Sequence, residues 1–193
     1  SEYDYELLGY ITPKKMGQAY HCPVFNGLSK QTTSEQLMDL GTQLNIHGIV
    51  PMFHVVGVTP EAADVHTAFL GRKDPPVVTI TNEDLAQARA EISAGTGKAD
   101  FCILGCPHLT INQVGSIAKM LDGQQLAGQL YIFTSTSTKE LAQRMGYLDI
   151  IHKAGGEIVI NSCVDQPCWS HLYGMSGVTE SPKCAYYTKR WNM

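Results

Sequence analysis

Phe101-Cys102-Ile103-Leu104-Gly105-Cys106-Pro107-His108-Leu109-Thr110-Ile111-Asn112-Gln113 is the stretch on which the fold turns. The apolar run 101–105 reads as a short buried strand, and Cys106, Pro107 and His108 read as the turn that follows it. Thr110 stands at capping-box spacing from Gln113, so a helix is expected over 110–121. The same unit recurs outward, with strands expected at 77–81, 129–134, 157–160 and near 176–179. Helices are expected between them at 82–94 and 138–154. Strands alternating with helices imply parallel strands joined by crossovers, hence a three-layer α/β/α fold with a mostly parallel sheet. Ligands of such folds sit beyond the carboxyl ends of the strands, which directs attention to residues 105–108, 134–137 and 161–163.

Upstream the pattern is less regular. Helices are expected at 5–19, 33–44 and 60–69, the last with Thr59 as cap and Pro60 in the first turn, and a strand at 49–56. Residues 71–76, Gly-Arg-Lys-Asp-Pro-Pro, suit neither helix nor strand and read as a linker. The expected division is a first α/β lobe over 1–75 and a second over 76–193.

The chain has 193 residues, 44% of them hydrophobic and 17% charged, with a formal net charge of -4. That composition excludes a disordered chain and gives no footing for a nucleic-acid partner. No run approaches the roughly 18 apolar residues of a membrane span, and the first residues lack a secretory leader, so a soluble cytoplasmic protein is expected. A phosphate loop and the GxGxxG, HExxH and GxSxG motifs are all missing from the sequence.

Six cysteines are too widely spread for a disulfide scaffold. Cys106 stands where a strand meets a helix, and the partial positive charge of the helix terminus favours a thiolate there. A cysteine that merely suits a tight turn fits the position equally. Cys163 follows another strand, so the two thiols can converge at one rim. Cys168 offers a second pairing with Cys163 but not at zinc-knuckle spacing. Cys22, Cys102 and Cys184 read as packing residues. His54 and His108 fall near strand ends, where a histidine serves either a ligand or its own hydrogen-bonded turn. The run Thr134-Ser135-Thr136-Ser137-Thr138 is suited to hold a carboxylate or phosphate, or simply to cap a helix.

Three stretches carry a family resemblance: Phe53-His54-Val55-Val56-Gly57-Val58-Thr59-Pro60-Glu61-Ala62, Leu104-Gly105-Cys106-Pro107-His108-Leu109, and residues 145–156 from Met145-Gly146-Tyr147 to Ala154-Gly155-Gly156. Together they resemble the catalytic large subunit of the aconitase X family. The resemblance implies an aconitase-like fold and an iron-dependent hydro-lyase that removes water from a small hydroxy acid, such as cis-3-hydroxy-L-proline or a phosphorylated mevalonate. It implies an iron or iron-sulfur centre held by three cysteines, of which Cys106 and Cys163 match two. The third belongs upstream of this chain, so the resemblance implies a fragment that lacks the amino-terminal lobe, is inactive alone, and has an open question of metal content. A small swivelling subunit or domain is the implied partner. Ser181 and Lys183 are implied to bind the substrate carboxylate, with Thr134 and Ser135 close behind, while His54, Glu61 and His108 shape the site; the base is unassigned. Val164 to Ser170 and Cys184 depart from the family pattern, which bears on substrate choice more than on fold. Two other readings remain: a metal-binding or redox module in which Cys106, Cys163 and Cys168 share one ion, and a subunit-interaction domain.

Overall fold

The computed structural model describes residues 3–17, 22–73, 75–93 and 97–193. The chain divides into two compact units, Ser1–Glu91 and Ile92–Met193. The first is built on helices α1 (Tyr3–Lys15) and α2 (Ser34–Gln43). Thr33 starts α2: its hydroxyl accepts the Gln36 amide while the Gln36 side chain accepts the Thr33 amide. At Gly9 an added Cβ would lie 2.4 Å from the Leu40 carbonyl oxygen, so the two helices meet backbone to backbone. Leu40 and Leu44 then bury against Phe25, Val50 and Val55. Strands β1 (Val24–Phe25) and β2 (His54–Val55) pair in parallel. Helices α3 (Val65–Ala68) and α4 (Asn82–Ile92) follow. Lys15 and Lys14 of α1 pair with Asp84 (2.7 Å) and Glu91 of α4.

Several expected elements are shorter here, each for a local reason. The strand at 49–56 contracts to β2 because the Asn45 side chain takes the Val50 amide at 3.1 Å and Pro51 has no amide to give. The helix at 60–69 contracts to α3, since the Thr59 hydroxyl is bonded to both the amide and the carbonyl of Val55. Asp64 caps α3 instead, accepting the Thr67 amide at 2.7 Å. Residues 77–81 form no strand: Pro75 and Pro76 precede them, Val77 is 84% exposed, and the Thr79 carbonyl is taken by Lys15. Because α4 is tied to α1, the compact units part at Glu91 and Ile92, and the expected boundary at 75 and 76 falls inside the first. The expected ends at Ala19 and Ala94, and Asp74 of the linker, lie outside the described residues.

The second unit holds a four-stranded sheet in the order β5-β4-β3-β6, every neighbouring pair parallel. Its strands are β3 (Phe101–Leu109), β4 (Gln129–Thr134), β5 (Gly156–Ile160) and β6 (Gly177–Thr179). The period of two decides the layers. Leu130, Ile132 and Ile158 face helices α5 (Ile111–Leu121), α6 (Thr136–Arg144) and α7 (Tyr147–Ala154), burying against Val114, Ala118, Ala142, Leu148 and Ile151. Phe101, Ile103 and Phe133 face the opposite way, onto Trp169 and Leu172 of the short 3-10 turn Pro167–Leu172 and Cys184 of α8 (Pro182–Thr188). A fully buried Ile132 or Ile151 contributes about 1.5–3 kcal/mol. This is the three-layer α/β/α fold. The expected helix 138–154 is split into α6 and α7 at Gly146, whose φ of 76° turns the chain. That turn lets Tyr147 lie against Gly115, where a Cβ would come within 2.8 Å of the ring.

Candidate functional site

The chain steps outward from β3 to β4 to β5, then returns to the far side of β3 as β6. The crevice beyond the carboxyl ends of β3 and β6 is therefore the switch point at which such sheets bind ligands. Cys106 lies inside β3, not after it. Between the pairs Leu104↔Ile132 and Leu109↔Thr134, residues 105–108 of β3 stand opposite Phe133 alone, so β3 bulges there. Gly105 makes the bulge possible: its φ is +112°, and a Cβ would meet the Phe133 carbonyl oxygen at 2.2 Å.

Around the bulge the chemistry gathers. The Gly105 amide donates to Glu180 Oε1 at 2.5 Å, and the Thr179 hydroxyl donates to Glu180 Oε2 at 3.2 Å. Burial raises the Glu180 carboxyl, while bonds from the Gly105 and Cys106 amides and from Thr179 work against that rise. The Cys106 thiol is pushed up to about 11 by burial, opposed by a hydrogen bond with Ser181 and the positive charge of Lys183, and reinforced by Cys163 and Glu180. Cys184 is raised well up by burial, with Cys106 and Cys163 adding to it. His108, two residues beyond Cys106, reaches the Ser162 carbonyl, so the loop that carries Cys163 is tied to the bulge of β3.

Cys163 is exposed and its loop is held from several sides. His108 Nε2 bonds the Ser162 carbonyl at 2.8 Å, and Trp169 Nε1 donates to the Cys163 carbonyl at 3.1 Å. The Asp165 amide donates to Cys163 Sγ at 3.4 Å. Asp165 is itself gripped by Trp191 Nε1 (2.8 Å) and Arg190 (2.6 Å). Across the sheet the Asn161 side chain donates to the Thr136 hydroxyl at 2.7 Å, joining the end of β5 to the start of α6.

The expected site residues separate accordingly. Ser181 is buried, caps α8 through the Cys184 amide at 3.2 Å, and hydrogen-bonds Cys106, so its oxygen serves the thiol and the helix. Lys183 is half-buried with its charge toward Cys106. Thr134 is fully buried and donates to the Leu109 carbonyl at 2.6 Å; that hydroxyl is committed to the sheet, which corrects its expected substrate role. Ser135 is half-buried and caps α6 through the Thr138 amide at 3.2 Å. His108 holds the Cys163 loop, and His54 Nδ1 lies in the first unit 3.9 Å from Glu61 Oε2. Cys102 and Cys184 pack as expected, Cys184 fully buried; Cys22 is exposed. Glu180 escaped sequence reading, although it follows directly on the strand expected near 176–179 and so met the same rule that picked out Cys106 and Cys163. Cys168 is exposed in the 3-10 turn, and among the described residues no three His, Cys, Asp or Glu side chains stand together as a metal-holding group. The shared site for Cys106, Cys163 and Cys168 therefore fails. The two rim thiols remain suitable soft ligands for iron.

A parallel sheet covered on both faces, with its thiols, carboxylate and lysine collected at the switch point, places the second unit among the α/β lobes with which enzymes hold small ligands. Family models for the aconitase X second domain and third domain match residues 1–90 and 99–193. The chain belongs to the aconitase X family. It is 35% identical to the phosphomevalonate dehydratase large subunit of Methanothermobacter thermautotrophicus over 95% of this chain and 44% of that protein. It is 32% identical to the cis-3-hydroxy-L-proline dehydratase of Pseudomonas aeruginosa over 84% of this chain and 29% of that one. The crystal structure of holo-form aconitase X from Thermococcus kodakaraensis matches with a TM-score of 0.83 at 28% identity, covering 100% of this chain and 48% of that chain. The chain spans less than half the length of each of these relatives. Among the described residues no helix is long and apolar enough to cross a membrane.

Proposed function

We propose that this chain supplies the second and third domains of an aconitase X hydro-lyase that removes water from a small hydroxy acid of the phosphomevalonate or cis-3-hydroxy-L-proline kind. What supports the reading is the bulge of β3 that holds Cys106, with the Cys163 loop tied to the same strand by the bond of His108 Nε2 to the Ser162 carbonyl and with Ser181 bonded to the Cys106 thiol. Cys106 and Cys163 would hold the iron or iron-sulfur centre, which when bound supplies a Lewis acid that polarises the departing hydroxyl. Lys183 attracts the substrate's carboxylate or phosphate to the rim by charge. Ser181 holds the Cys106 thiol in place, and His108 keeps the Cys163 loop against the end of β3. Ser135, at the positive end of α6, is a further anion contact. A small subunit, as the name "large subunit" indicates for the relatives, completes the enzyme, which works in the cytoplasm.

The test is a water-elimination assay with phosphomevalonate and with cis-3-hydroxy-L-proline on the natural full-length enzyme, with Cys106→Ser and Cys163→Ser in parallel. Loss of both iron and dehydration in either folded variant is expected. Iron content and turnover indifferent to both substitutions would sink the reading.

A further inference from the structure

We infer that Glu180 is the positioning residue for the Cys106 thiol, its carboxylate holding the bulge of β3 in the one shape that keeps this sulfur against Ser181. The argument starts from the backbone. Where residues 105–108 of β3 stand opposite Phe133 alone, the amides of the bulge lose their places in the ladder to β4. Buried amides need acceptors, and a neutral side chain or a water would satisfy them loosely. Glu180 satisfies them with charge: Oε1 takes the Gly105 amide at 2.5 Å, and the Cys106 amide adds its own bond.

The carboxylate is itself fixed. Thr179 Oγ1 donates to its other oxygen at 3.2 Å and in turn accepts the Ser181 amide at 3.2 Å, so Glu180 is locked to the last residue of β6 and the first turn of α8. β6 is in register with β3 through Thr179↔Ile103. The same short segment thus sends Glu180 to the backbone beneath Cys106 and Ser181 to its thiol. Glu180 is half-buried, and withdrawing a carboxylate even partly from water carries a cost that a purely structural bulge does not require. Here that cost is tied to the geometry of a single reactive side chain.

The metal arm of the test rests on Cys106 as an iron ligand; the thiol and amide arms do not. In Glu180→Ala, peptide-resolved alkylation of Cys106 should quicken by at least about tenfold, the loss expected for one hydrogen bond to a charged acceptor. Amide exchange at Gly105 and Cys106 should quicken with it, while Cys22, whose thiol owes nothing to Glu180, keeps its parental alkylation rate. Glu180→Gln, which preserves shape and one acceptor oxygen, should fall between the two and keeps the test open if the alanine variant does not fold. With iron added anaerobically, the absorption and EPR signature should move in Glu180→Ala at unchanged far-UV circular dichroism. Parental alkylation and exchange at 105 and 106, or an equal rise at every cysteine, overturns the inference. If Cys106→Ser leaves the iron signature untouched, the hydro-lyase reading falls instead, and the alkylation arm still decides the role of Glu180.

Discussion

Replacing Gly105 by alanine perturbs the bulge at its tightest point. The new Cβ would sit 2.2 Å from the Phe133 carbonyl oxygen and 2.9 Å from its carbonyl carbon, both backbone atoms of the interior strand β4. Neither can swing aside as a side-chain tip would. The residue must also hold φ near +112°, which costs a non-glycine residue about 1–3 kcal/mol. Overpacking against fixed backbone adds about 1–3 kcal/mol. A loss of about 2–6 kcal/mol is expected, against about 1–2 kcal/mol for Gly123→Ala, where φ is +71° and nothing lies within 4 Å. Both tryptophans, Trp169 and Trp191, belong to the second unit, so urea unfolding followed by their fluorescence reports that unit. With a slope of about 2 kcal/mol per M, a 3 kcal/mol loss moves the midpoint by about 1.5 M. Midpoints for Gly105→Ala and Gly123→Ala that agree within about 0.3 M would refute the account of the bulge.

Thr134→Val keeps the shape of a buried side chain but removes the donor that the Leu109 carbonyl meets at 2.6 Å; a loss of about 1–3 kcal/mol in the same urea assay is expected, and no loss would show that hydroxyl to be idle. Trp191→Phe removes one of the two bonds on Asp165 and leaves that of Arg190, so amide exchange over residues 162–166 should quicken with little change at β4; equal protection in both proteins would refute the latch. The raised thiols predict alkaline weakening: Cys102 and Cys106 sit at about 11 in the fold against 9.0 ordinarily, and Cys184 is raised as well. The folded state keeps protons that the unfolded chain releases, so stability is whole below pH 9 and declines toward pH 11. Cys184→Ala should show a shallower decline in urea midpoint between pH 8.5 and 10.5 at about the experiment's scale, and a parallel decline would refute the role of burial.

The second unit was legible in the sequence because its signals are local. Thr110 and Gln113 mark the start of α5, and the alternation in Gln129-Leu130-Tyr131-Ile132-Phe133-Thr134 marks a strand buried on both faces. Residues 77–81 carry the same apolar signal but find no partner strand, and pairing is a tertiary property that a short run cannot declare. The first unit was harder for the opposite reason: side chains such as Asn45, Thr59 and Asp64 settle where its elements stop, and each acts through a single hydrogen bond. For the candidate site, the carboxyl-end rule directed attention to Cys106 and Cys163. What it lacked was the bulge, which moves Cys106 into β3, and the pairing of β6 with β3, which alone brings Glu180 and Ser181 to the thiol.

That pairing also sets when the rim comes into being. Phe101 lies against Gly177, whereas β3, β4 and β5 are linked by short consecutive crossovers. Contacts of such different separation close at different times, the local ones first. On a ribosome, β3 emerges long before β6, and Cys106 passes through that interval without Glu180, Ser181 or Lys183 beside it. The surroundings of Cys106 are therefore completed only when β6 comes to β3, late in folding, and until then this thiol is an open side chain on a half-built sheet.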